Sequence, residues 1–77
     1  MNPFRQIAEE VDRFHERTMR APDFVIVGLR EWIQMERLAA TKDDLGTFFV
    51  HTVSGKIPIR RHPIYYSMIA PVLEWMP

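Results

Sequence analysis

Three histidines, ten carboxylates and ten cations are the side chains of this 77-residue chain that can do chemistry, and their spacing decides which kind. Glu36 falls between two apolar edges of a helical pattern. A carboxylate in such a place is a candidate acid or base. No histidine, serine or second carboxylate stands at a helical spacing that would complete a pair with it, so a solvent-reaching helix residue is the expected reading. His15 falls inside an apolar stripe, where histidine is commonly half-buried; its alternative use is as a partner contact or pH-sensitive position. His51 and His62, with Asp43 and Asp44, match no recognised metal-ligand spacing. There is no cysteine, hence no thiolate ligand and no disulfide. Gly28, Gly46 and Gly55 are isolated and form no phosphate-cradling loop. The expectation is a protein without catalytic, metal or cofactor sites.

Contact chemistry is better represented. Lys56, Arg60 and Arg61, followed by His62, are the single basic cluster and the candidate nucleic-acid contact. Yet the formal charge is zero, and a protein that lives on nucleic acid usually carries a basic excess. Charges on an edge strand also guard against stray pairing. A nucleic-acid partner is therefore not the first expectation. The segment His62 to Pro77 holds two tyrosines, a tryptophan, two methionines and one charge, where chain ends are usually polar. It must lie against its own domain or against another chain. Trp32, Met35, Tyr65, Tyr66 and Trp75 are the expected partner contacts, since interfaces favour these types.

The elements that must position these residues follow from periodicity. Residues 3–20 read as a helix, with Phe4, Ile7, Ala8, Val11, Phe14, Thr18 and Met19 in one stripe. Asn2 suits the cap and Pro3 the first helical position. Glu9 with Arg13, and Glu16 with Arg20, stand at favourable i,i+4 spacing. Residues 23–28 read as a strand apolar on both faces, hence central. Residues 29–40 read as a helix with two apolar edges: Leu29, Ile33 and Ala40 on one, Trp32, Met35, Leu38 and Ala39 on the other. The first edge is expected to be buried and the second shown.

Residues 47–61 read as a hairpin turning at Ser54-Gly55, which puts Phe48, Val50, Ile57 and Ile59 on one face. That turn would place Pro58 opposite His51 at a hydrogen-bonded site, so the register is open and the last strand is expected at an edge or irregular. Residues 62–77 read as an apolar C-terminal arm near helical spacing, broken at Pro71. The expected fold is one small α+β domain: a three-stranded sheet with a β-hairpin, covered by two helices, plus the arm. The 47% hydrophobic fraction is ordinary for a folded domain and argues against disorder. Met1 to Glu10 lack the apolar core of a signal peptide, and the longest apolar runs are too short to span a bilayer. No membrane and a cytoplasmic site are the expectations.

From Pro22 to Pro63 the pattern is Pro-Asp-Phe-Val-Ile-Val-Gly, Leu-Arg-Glu-Trp-Ile-Gln-Met-Glu-Arg-Leu, then Gly-Lys-Ile-Pro-Ile-Arg-Arg-His-Pro. This resembles short tailed-bacteriophage proteins, over about half the chain, with no functional residue carried over. The resemblance implies a phage or mobile-element origin; the expected location is the cytoplasm of the bacterial host or the virion. The function expected is an accessory protein working by protein–protein contact, as a small structural subunit of a virion and a homo-oligomer or obligate complex. The alternatives are an inhibitor or regulator of a host protein, and a small nucleic-acid-binding module.

Overall fold

The computed structural model describes residues 2–38 and 48–73. Helix α1 runs Pro3–Thr18. Its start is the expected one: the Asn2 Oδ1 accepts the Phe4 N–H at 2.9 Å and Pro3 occupies the first turn. It stops two residues early, at Met19, whose left-handed φ of 58° lets its N–H reach the His15 carbonyl. Ile7 and Val11 are buried, whereas Thr18 and Met19, expected in the stripe, are exposed. The ion pairs also differ. Glu9 is taken by Arg5, and Arg13 turns to Glu10 three residues back.

Strand β1 (Phe24–Val27) is followed by helix α2 (Leu29–Leu38), strands β2 (Phe49–Thr52) and β3 (Gly55–Arg61), and strand β4 (Ile69–Val72). The α+β class holds, but the sheet has four strands rather than three, in the order β2-β3-β1-β4. β1 is interior as expected, parallel to β3 and antiparallel to β4. The extra strand comes out of the arm. Ile69 and Pro71 lie opposite Val27 and Val25, so a four-residue strand stands where helical spacing was expected. Four residues are too few to separate a period of 2 from one of 3.6. Pro71 fits because alternation turns its nitrogen to the sheet's outer edge, where no ladder bond is required.

The hairpin turns at Val53-Ser54, one residue earlier than expected, with Gly55 at φ 111°. Thr52 pairs with Gly55 and Pro58 with Phe49. Moving the turn by one residue shifts the pairing by two, which keeps Phe48, Val50, Ile57 and Ile59 on the core face. It also removes Pro58 from a hydrogen-bonded site. β3 is interior, not an edge. It tolerates Pro58 because the Ile59 N–H bonds Phe48 and the proline nitrogen faces the other way, ahead of the first β1–β3 pair, Val25 with Ile59.

Both helices pack on one face of the sheet. Ile7 and Val11 of α1 and Met35 of α2 join Val25, Val27, Phe48, Val50, Ile57 and Ile59 in one core. Among the described residues no helix is long and apolar enough to cross a membrane.

Candidate functional site

The first turn of a helix leaves four backbone N–H groups without helical partners. In α2 the chain from Tyr65 to Met68 supplies most of them. The Leu29 N–H donates to the Tyr65 carbonyl at 3.2 Å, and the Arg30 N–H to the Tyr66 carbonyl at 2.8 Å. The Gly28 N–H is shared between the Met68 carbonyl and the Glu31 Oε1, both at 3.1 Å. The helical ladder then begins with Trp32 donating to Gly28 at 3.0 Å.

Glu31 ties the arrangement together. It is 5% exposed and the one buried charged residue among those described. Besides Gly28, its Oε1 accepts the Met68 N–H at 3.0 Å, and its Oε2 accepts the Ser67 hydroxyl at 2.6 Å. Burial is the largest single influence on the carboxyl and pushes its pKa up. The donors together outweigh it: Ser67, Met68, its own backbone N–H and Gly28 bring the net value below the ordinary 4.5. A carboxylate at the third helical position also meets the positive end of the helix dipole.

The chain reaches this helix through a tight turn. His62 Nδ1 accepts the N–H of Ile64 at 3.1 Å and of Tyr65 at 3.2 Å. The imidazole stacks on the Tyr65 ring at 4.5 Å and 13°. The His62 N–H in turn donates to Val27 at 2.7 Å, which anchors the turn to β1. The result is a fixed loop that presents large side chains outward. Ile64 is 81% exposed, Tyr65 58% and Tyr66 66%. Leu29 lies beside them, lining the same shallow hollow, and Ile33 follows it one turn along α2; both are more than a third exposed.

The expected contact residues therefore divide. Tyr65 and Tyr66 are on the surface, together in this loop. Met35 is fully buried in the core, and Trp32 is half-buried, edge-on to Phe48 with centroids 4.7 Å apart. Trp75 lies outside the described residues, as do Asp43 and Asp44. At four positions of α2 the expectation is reversed: Trp32 and Met35 face the sheet, while Leu29 and Ile33 face outward; Leu38 is exposed as expected, and Ala39 and Ala40 lie outside the described residues.

Among the chemical candidates, Glu36 is exposed, His15 and His62 are half-buried and His51 is exposed. Among the described residues no three metal-ligating side chains converge. Lys56 and Arg60 share one face of β3, and Arg61 turns to the other, beside Leu29 and the loop. Sequence reasoning missed Glu31. Its signal was a glycine followed three residues later by glutamate at a helix start, half of a capping box. No protein-family model, curated protein or solved structure matches this chain.

Proposed function

We propose that this is a non-enzymatic accessory protein that works by protein–protein contact through the loop 62–66 and the adjoining edge of α2. One observation carries the reading: large apolar side chains are exposed on a loop that is itself held by hydrogen bonds to a helix end and a strand. Exposed aromatic residues on fixed backbone lose little conformational freedom on binding, which is how hot spots are built. Glu31 supports a structural rather than catalytic role. Its oxygens are occupied by donors, and a carboxylate held ionised in this way is a weak base. The resemblance to tailed-phage proteins supplies the setting, a small virion subunit that associates with copies of itself or with a neighbouring subunit.

Mass spectrometry of purified particles tests the setting; stoichiometric presence supports a virion subunit, and absence favours a regulator of a host protein. The surface has its own test. Tyr65→Ala with Tyr66→Ala is expected to cost about 2 kcal/mol or more of association. Thermal stability should fall by only about 5 °C, because the Tyr65 ring's stack on His62 is lost while the bonds to α2, which come from backbone carbonyls, remain. Sedimentation of wild type and variant at equal concentration reads both states. Association unaffected by the double substitution would remove the loop from the contact.

A further inference from the structure

The second face of the sheet carries the aromatic and basic residues that the core does not use. Alternation puts Phe49 and His51 of β2, and Lys56 and Arg60 of β3, on the face opposite the two helices. The Phe49 ring is half-buried and meets His51 edge-on at 5.3 Å. The Lys56 ammonium lies 3.9 Å from the Phe49 ring centre, and the Arg60 guanidinium 4.2 Å from that of Phe24. His51, Lys56 and Arg60 are exposed.

The neutral total charge hides this arrangement. Six of the ten carboxylates belong to the two helices, on the other side of the sheet; none lies within the four strands, and Asp23 directly precedes β1. We infer that this face docks a single-stranded nucleic acid, with a base stacked on Phe49 beside His51 and the phosphates met by Lys56 and Arg60. Such a strand needs π-faces for its unpaired bases and cations spaced along a groove or sheet for its backbone. A double helix offers no unpaired base to the ring, and an acidic protein surface has no use for it.

The Lys56 contact does not block the site. The Lys56 ammonium is solvent-exposed, so its contact with the half-buried ring is worth about 1 kcal/mol, and a base well stacked on the same ring about 1–3 kcal/mol. An arriving base therefore displaces the ammonium, which then lies within reach of the adjacent phosphate. This surface is separate from the loop 62–66, so the two readings stand or fall independently.

Fluorescence anisotropy of the whole chain with labelled oligo(dT) and oligo(U), each about 12 nucleotides long, tests the inference. Binding of either is expected at low salt. With Lys56 and Arg60 as the phosphate contacts, affinity should fall about sevenfold between roughly 50 and 200 mM salt. Phe49→Leu keeps apolar cover over the sheet and removes the π-face; it should weaken binding roughly tenfold with the fold intact. Lys56→Glu should weaken it further, and Arg17→Glu, an equal charge change on an exposed part of α1, should leave it unchanged. Failure of both oligonucleotides overturns the inference. So does binding that Arg17→Glu weakens as much as Lys56→Glu, or that Phe49→Leu leaves unaltered. A self-association that Phe49→Leu abolishes, without nucleotide binding, would assign the face to a second copy of the chain instead.

Discussion

Replacing Gly28 by alanine is expected to lower the melting temperature by about 15 °C or more, the largest effect of any single methyl group added to this protein. A Cβ at Gly28 would stand 2.5 Å from the Tyr66 carbonyl oxygen, 2.6 Å from its carbon and 2.7 Å from the Ser67 Cα. All three are backbone atoms, so no side chain can rotate aside. The loop would have to lift from α2. Overpacking alone costs about 1–3 kcal/mol. Lifting also strains the bonds from Leu29 to Tyr65 and from Arg30 to Tyr66, each worth about 1 kcal/mol. A sum of roughly 3 kcal/mol is a large part of the total for a domain this small. Circular dichroism melting reads it directly. A variant within about 0.5 kcal/mol of wild type would mean that the close approach of loop and helix is not there.

Glu31→Ala is the second large effect, about 2–4 kcal/mol in urea unfolding. The Met68 N–H would lose its acceptor and the helix end its compensating charge, while Gly28 keeps the Met68 carbonyl. The ionised form is the one the fold prefers, because the native carboxyl sits below its ordinary 4.5. The native state then binds fewer protons than the unfolded one near that pH. Its contribution is fully present above about pH 4.5 and is lost as pH falls through the native value. The stability gap between wild type and Glu31→Gln should therefore narrow from neutral pH to about pH 3. A gap that stays constant or widens on acidification would refute the role given to the charge.

What the sequence made legible was whatever rested on a long period or a strong local signal. The cap at Asn2, the Ile7–Val11 stripe, the interior place of β1 and the four core residues of the hairpin all follow from alternation or helical spacing. The turn position was not legible, because two registers that differ by two pairing steps bury the same side chains. Only the cost of Pro58 at a hydrogen-bonded site separates them, and the structure adopts the register that avoids it. Strand β4 was hidden by its brevity and by Pro71, which reads as a breaker until its outward-facing edge position is known.

The orientation of α2 was the costliest ambiguity. Leu29 and Ile33 form one i,i+4 line, Glu31 and Met35 another, and hydropathy cannot rank two apolar edges. The deciding residue is polar. Once Glu31 is drawn inward by Gly28, Ser67 and Met68, Met35 one turn later must follow it into the core. Leu29 and Ile33 are then left outside, beside the two tyrosines. The candidate contact surface was thus half legible: the aromatic loop from its composition, its neighbours on α2 only from a long-range hydrogen-bond network.

Amide hydrogen exchange, read residue by residue by NMR, tests whether the loop that carries Tyr65 and Tyr66 is a fixed part of the fold rather than a loose tail. The Leu29, Arg30 and Met68 amides should be protected nearly as well as Val25 and Val27 of the central strand, and should lose protection together in Glu31→Gln while the strand keeps it. Rapid exchange of those three amides in the wild-type protein, beside a protected β1, would contradict the account.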